Sequence, residues 1–165
     1  MLKTRGYTLI ELIAVMVLLG ILSTVIVVKM PSFTLQRINI VNDTLMKDIK
    51  TVQMMAVSRQ QKGGIMFTLA QNSYLVYSGN YDYANIINNP STGTQFMQDL
   101  DVSFQDVVIN STTLTGAVLQ FNEKGIPCDT AGELTVTKNI ILTHQPTGET
   151  RTIIITPHTG NVRNE

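Results

Sequence analysis

Apolar residues fill the first part of the chain almost without a break. From Leu12 to Val28 no charged residue interrupts the run. Drawn as a helix, residues 7–30 measure roughly 36 Å, which is enough to cross a bilayer. The length and the uniform apolarity therefore predict a transmembrane helix over residues 7–30.

Two other interpretations of this segment fit less well. A core helix that is apolar on every face needs a larger protein around it than 165 residues provide. A conventional secretory signal ends in small residues at its cleavage site, whereas this run leads into VKMPS. We therefore expect the segment to be retained as an anchor. Lys3 and Arg5 precede it, which favours a cytoplasmic N-terminus by the positive-inside rule.

A second helix is predicted beyond Pro31, because apolar residues recur at three- and four-residue steps. Polar residues occupy most positions between them, so residues 31–62 form an amphipathic stem that buries one face against the following domain. Lys62, Gly63 and Gly64 favour a helix end, since a basic residue and then glycines are common there. The predicted buried stripe is Ile38, Val41, Leu45, Ile49, Val52 and Met55.

Short apolar runs separated by turn residues predict strands in the rest of the chain. Residues 65–69 and 74–77 are predicted to form a hairpin, and HQPTGE is predicted to be the loop of another. A long loop over residues 79–100 is expected to contain a helical turn near TQFMQDL. The predicted fold class is α+β, with the long helix packed on a small antiparallel sheet or sandwich domain over residues 63–165. The other predicted strands are residues 107–109, 117–121, 134–137, 140–143 and 152–156.

Charge is distributed unevenly between the two parts of the chain. Up to Lys62 there are eight basic and three acidic residues, for a net charge of +5, whereas the remainder carries −5. A domain of negative sign repels phosphate backbones. Cys128 is the single cysteine, so no disulfide forms within the chain.

Glu11 is unusual because it stands at the head of the apolar run. An unpaired acid costs on the order of 3 kcal/mol at the centre of a span, and less near an interface. The leader MLKTRG, then Y-T-L-I-E and the apolar stretch, closely resembles the class III signal of type IV pilins and pseudopilins. The resemblance implies that a prepilin peptidase removes residues 1–6, cleaving between Gly6 and Tyr7, and methylates Tyr7. Tyr7 replaces the family's usual phenylalanine and keeps an aromatic ring.

The resemblance also suggests a partner for Glu11. The Tyr7 amine of a neighbouring subunit, shifted along the assembly axis, would neutralise the carboxylate and fix the stagger between subunits. The alternative is a Glu11 side chain that reaches the lipid headgroups without a partner.

Two later segments indicate which group of pilins and pseudopilins the chain resembles. LQFNEKGIP at residues 119–127 and TRTIIITPHTGNVR at residues 150–163 look like the globular domain of the GspH/FimT-like group of minor pilins and pseudopilins. This implies a structural subunit with its head in the periplasm, taking part in assembly or tip initiation. Its implied partners are other pilin subunits, the prepilin peptidase and an assembly platform in the inner membrane. A type II secretion system, a type IV pilus and a mannose-sensitive haemagglutinin-type pilus all fit, and a major, shaft-forming pilin is an alternative.

A second alternative is a DNA-binding minor pilin. Some FimT-like minor pilins are DNA receptors in natural transformation and carry a C-terminal G-R-x-R motif. Here the stretch reads Gly160-Asn161-Val162-Arg163, so asparagine replaces the first arginine. Arg163 would remain as a weak DNA contact, and we do not expect nucleic-acid binding.

The sequence carries no catalytic constellation. His144 and His158 lie among threonines and prolines and are interpreted as surface or structural residues. No Cys/His cluster has metal-ligand spacing, and the acids near residues 99–106 are interpreted as a solvated face. We therefore predict a protein that is not an enzyme and has no cofactor and no metal. The loop over residues 80–100 is our expectation for a partner surface.

Overall fold

The computed structural model describes residues 8–29, 33–80 and 82–165, with side chains for residues 8–21, 36–80 and 82–165. The chain divides into two compact units, residues 1–35 and residues 36–165. The first unit contains helix α1, Leu9–Lys29. Helix α2 is Phe33–Arg59, and most of it belongs to the second unit.

Helix α2 buries the stripe that its periodicity predicts. Five of the six predicted residues are at most 1% exposed, and the stripe ends at Ala56, while Met55 is only partly buried. The helix ends in a Schellman motif, in which Gln61 N–H donates to Ala56 O and Gln60 N–H donates to Val57 O. Gln60 adopts the left-handed conformation, with φ of 50°.

In the described part of the second unit, ten strands form two antiparallel sheets. The six-stranded sheet has the order β3-β2-β1-β5-β6-β7, and the four-stranded sheet has the order β10-β9-β8-β4. A short helix, α3, spans Leu100–Ser103. The strands are β1 Gly63–Thr68, β2 Ser73–Ser78, β3 Met97–Asp99, β4 Val107–Thr112, β5 Val118–Phe121, β6 Pro127–Asp129, β7 Gly132–Glu133, β8 Lys138–His144, β9 Glu149–Ile155 and β10 Val162–Asn164.

The main core of this unit contains side chains from α2 and from both sheets. The buried stripe of α2 packs with inward side chains such as Phe121 from the first sheet and Leu142 and Ile153 from the second. The predicted α+β architecture is confirmed. The predicted hairpins are also confirmed, since β1 pairs with β2 and β8 pairs with β9.

Asn72 joins the two sheets through its side chain. It adopts a left-handed conformation with φ of 45°, which asparagine tolerates better than most residues. Its Nδ2 donates to Val107 O at 2.8 Å, and its Oδ1 accepts from the N–H of Ile109 at 2.9 Å. The amide thus pairs with β4 as a neighbouring strand would, and covers part of its edge.

Several local predictions are wrong. Gly63 and Gly64 do not end a helix: they are buried in β1, where a Cβ on Gly64 would lie 2.7 Å from Leu119 O. The segment TQFMQDL contains β3, which was not predicted and which pairs with β2. The helical turn expected near this segment is confirmed as α3, which begins at Leu100. Residues 134–137 form no strand, although Leu134 is buried.

Candidate assembly site

Helix α1 begins with a capping box formed by Thr8 and Glu11. The backbone N–H and the hydroxyl of Thr8 donate to Glu11 Oε2, at 3.1 and 3.2 Å, and Glu11 N–H donates to Thr8 Oγ1 at 3.4 Å. These bonds satisfy N–H groups that a helix start leaves without partners. The acidic side chain also lies at the positive end of the helix dipole. The local sequence therefore explains part of why a carboxylate stands at this position.

The described hydrogen bonds of the Glu11 carboxylate all use Oε2. Its second oxygen, Oε1, is the atom with which a further donor can bond without breaking the capping box. Gly6 and Tyr7, the predicted processing residues, lie outside the described residues. The Tyr7–Glu11 charge pair between subunits therefore stays a prediction.

The side chains of α1 that the structure describes are all exposed, from the helix start to Ile21. Exposed apolar surface of this extent is typical of segments that contact lipid or another protein. Within the described residues, no helix is both long enough and apolar enough to span a membrane. In α1, the described large apolar side chains that are more than half exposed are Leu9, Ile10, Leu12, Ile13, Val15, Met16, Val17, Leu18, Leu19 and Ile21.

Gln53 on α2 forms hydrogen bonds with two turns of the β-rich head, residues 63–165. This contact was not predicted from the sequence. Gln53 Nε2 donates to the carbonyl oxygens of Gly125 and Thr159, each at 2.9 Å. Gly125 belongs to the LQFNEKGIP segment and Thr159 to the TPHTGNVR segment. The two segments that carry the GspH/FimT-like resemblance therefore meet at one side chain of the helix.

The close approach of Gln53 explains the glycine after Thr159. Gly160 has φ of 64°, a left-handed conformation that favours glycine. A Cβ there would lie 2.7 Å from Gln53 Nε2 and 2.8 Å from Phe121 Cε1. A side chain at this position would displace the helix contact, so the Thr-Gly pattern serves the packing of the head.

Asp129 links the β6–β7 hairpin to the start of β8. Burial by itself raises the pKa of Asp129, but the N–H groups of Ala131 and Thr115, at 2.8 and 3.2 Å, and the Lys138 ammonium, at 3.4 Å, favour the carboxylate and lower the pKa overall. The side chain of Asp129 is 4% exposed. The arrangement is that of a buried structural ion pair.

A second acid, the partly buried Asp48, lies on α2 and accepts a hydrogen bond of 2.6 Å from the Tyr74 hydroxyl. Burial raises the pKa of Asp48, and the bond from Tyr74 opposes this only in part. Burial and the adjacent carboxylate also raise the pKa of Tyr74. The pair joins the helix to β2.

The remaining candidate residues lie apart from one another in the fold. Arg163 is exposed on β10, opposite Ile154 of β9. His144 is fully buried and bonds through Nδ1 to Thr147 Oγ1 at 2.8 Å, whereas His158 is exposed. Burial raises the pKa of the Cys128 thiol. Among the described residues, no group of three or more His, Cys, Asp or Glu side chains is placed to hold a metal ion.

Comparisons with known proteins address both parts of the chain. Residues 1–27 match the prokaryotic N-terminal methylation motif. The structure is similar to the type IV minor pilin FimU of Pseudomonas aeruginosa, with a TM-score of 0.56 and 13% identity over 82% of this chain and 92% of that one. It is also similar to the minor pseudopilin EpsH from the type 2 secretion system of Vibrio cholerae, with a TM-score of 0.59 and 10% identity over 78% of this chain and 96% of that one. A comparison with curated proteins gives no significant match.

The motif and the fold together confirm the resemblance to type IV pilins and pseudopilins. The chain has a pilin-like α+β fold, and it carries the N-terminal methylation motif at its start.

Proposed function

We propose that the chain is a minor pilin or pseudopilin, a structural subunit that takes part in assembly or tip initiation of a type IV pilus or a type II secretion pseudopilus. The observation that carries the proposal is the methylation motif at residues 1–27, joined to a pilin-like fold. The exposed apolar surface of α1 supports it, because such a surface requires lipid or protein around it. We infer a structural role and no enzymatic one.

The proposed sequence of events follows from the N-terminal segment. Residues 7–30 hold the chain in the inner membrane, with the N-terminus in the cytoplasm and the head in the periplasm. A prepilin peptidase cleaves after Gly6 and methylates Tyr7, and an assembly platform then moves the subunit into the growing filament. There the apolar side chains of α1 pack against those of neighbouring subunits.

Glu11 sets the register of this packing in our proposal. As the subunit leaves the bilayer, the Tyr7 amine of a neighbour approaches Glu11 Oε1, while Oε2 stays in the capping box. The attraction between the two charges is stronger in an apolar surrounding than in water, and an unpaired charge there is costly. Only one axial stagger satisfies both groups.

Mass spectrometry of the mature N-terminus tests the proposal. We expect the full-length chain, isolated from a host with its prepilin peptidase, to begin at methylated Tyr7. A Gly6→Val variant is the control, and it should keep its leader. A mature chain that begins beyond Val28 would lack α1 and would overturn the proposed function.

DNA binding is tested separately with the purified chain. Arg163 is flanked by the exposed residues Asn164 and Glu165, and the chain from Gly63 onward carries a net charge of −5. We expect no saturable binding in a gel-shift at low salt, because few cations face the phosphates. Saturable binding that falls in an Arg163→Ala variant would favour the DNA-receptor alternative.

A further inference from the structure

The outer face of α2 carries apolar side chains among lysines. Met54 is 64% exposed and Val57 is 41% exposed, although both lie on a helix that buries its other face. Lys50 and Lys47 are exposed one and two turns before Met54, and with Asp43 they line one groove beside it. Lys124 lines the groove on its other side. We call this surface the stem ridge, and define it as Lys47, Lys50, Met54, Val57 and Lys124.

A second patch of the same unit has the opposite charge. Val102 on α3 is 80% exposed, which is the largest value among the exposed apolar side chains that the structure describes. Asp99 and Asp101 precede it in the chain and are exposed. Asp99 Oδ1 caps α3, and Asp101 Oδ1 accepts from Asn72 Nδ2 at 2.6 Å, so each carboxylate keeps its second oxygen for a further contact. We call Asp99, Asp101 and Val102 the acidic knob. The nearby Asp106 adds little charge, because Arg37 pairs with it at 3.3 Å.

The two patches lie at different heights along α2. The Arg37–Asp106 ion pair places the segment that follows α3 beside the first turns of the helix. Met54 lies roughly 25 Å farther along the helix axis, from the rise of an α-helix. Val102 lines a groove with Arg37, so within one chain Val102 does not reach Met54.

We propose that the stem ridge binds the acidic knob of a second copy of this chain. This proposal rests on the proposed function, since assembly in a filament brings the heads of neighbouring subunits together. Val102 enters the apolar surface around Met54 and Val57, and the carboxylates of Asp99 and Asp101 face the ammonium groups of Lys47, Lys50 and Lys124. Complementary charge around an apolar centre favours this occupant over an uncharged or basic one.

The geometry of such a contact suits a filament. Two different patches of the same molecule meet, so the contact is heterologous and repeats from copy to copy along an axis. A displacement along α2 is what brings the knob of one copy to the height of the ridge of the next. The inference predicts that more than one copy enters each assembly.

Cysteine cross-linking between two tagged copies of the full-length chain tests this inference. Both copies carry Cys128→Ser, one carries Met54→Cys and the other carries Val102→Cys. We expect a disulfide-linked pair in the assembled fraction of cells that make the filament. The matched control replaces Val102→Cys by Val136→Cys, because Val136 is 59% exposed and lies outside both patches.

A charge-reversal variant tests whether charge contributes to the contact. Lys50→Glu should lower the yield of the linked pair about fivefold, as expected for an exposed charge contact. Arg163→Glu, a reversal outside the ridge, should leave the yield unchanged.

The outcomes separate this inference from the proposed function. Equal linking of Met54→Cys to Val102→Cys and to Val136→Cys overturns the contact, as does linking only to a different protein, even when the chain is found in filaments. A chain that is never processed and never enters the assembled fraction overturns the proposed function itself.

Discussion

Helices α1 and α2 follow each other in the chain but differ in the burial of their apolar side chains. Apart from Glu11, the described side chains of α1 are apolar or absent, and the described residues are all exposed. Helix α2 alternates apolar and polar positions and buries its stripe in the head. The partner of α2 is therefore supplied by the chain itself, whereas our proposal assigns lipid and neighbouring subunits to α1. Stability should depend on α2, and assembly should depend on α1.

The largest expected effect on stability is at the buried stripe. Leu45 is fully buried, so Leu45→Ala should lower the free energy of unfolding by about 3 kcal/mol through the cavity it leaves. Leu18 on α1 is 59% exposed, so Leu18→Ala should change the free energy of unfolding by less than about 0.5 kcal/mol. Denaturant unfolding of the full chain in detergent measures both. Equal losses in the two variants would contradict the division between the helices.

A smaller effect is expected at Asp129, with a characteristic pH dependence. Asp129→Asn should cost about 2 kcal/mol at neutral pH, because it removes the charge that pairs with the Lys138 ammonium, which among the described residues then keeps only its bond to Thr113 O. The folded pKa of Asp129 is lowered, so its contribution is fully present above its ordinary pKa and is lost as pH falls through the folded value.

Unfolding measured from neutral pH into the acid range checks this prediction. The difference between wild type and Asp129→Asn should shrink as pH falls. Burial raises the pKa of Asp48, so its effect on the pH dependence of stability has the opposite sign. Asp48 is present in both proteins, and its effect therefore cancels when the two unfolding free energies are subtracted. A difference that grows on acidification would contradict the assignment.

The smallest effect on stability is expected at Gln53. Gln53→Ala removes the two hydrogen bonds to Gly125 O and Thr159 O and should cost about 1 kcal/mol. Gln36→Ala, at an exposed position of the same helix, should be neutral. Thermal unfolding compares the stability of the two variants. An equal melting temperature for both would show that the bonds from Gln53 to the two turns do not contribute to stability.

The parts of the fold that depend on local periodicity could be predicted from the sequence. The stripe of α2 follows a helical repeat, and only its last member was misplaced, from Ala56 to Met55. Asn42 is polar and yet only 1% exposed, and the repeat could not predict this because it does not reveal which polar side chain the core accepts. Glycines were interpreted by their usual role at helix ends, whereas Gly64 is required by the approach of a neighbouring strand.

The parts that depend on contacts between distant residues could not be predicted. Gln53 reaches turns that lie far along the chain, and Asp129 pairs with a lysine of another strand. Strands β6, β7 and β10 were missed because each has only two or three residues and contains proline, glycine or asparagine. At the candidate site the motif pointed to Glu11, and the bond from Thr8, although not predicted, had a local signal in the Thr-x-x-Glu spacing of a capping box.

Glu11 provides the most direct test of the account, because its cap and its charge can be separated. Glu11→Gln keeps a side chain that can complete the capping box and removes the charge, whereas Glu11→Ala removes both. The measurement is the fraction of processed chain recovered in purified filaments or pseudopili. If the charge sets the register between subunits, both variants are cleaved normally, remain in the membrane and are lost from the assemblies. Incorporation of Glu11→Gln at the wild-type level would contradict the account.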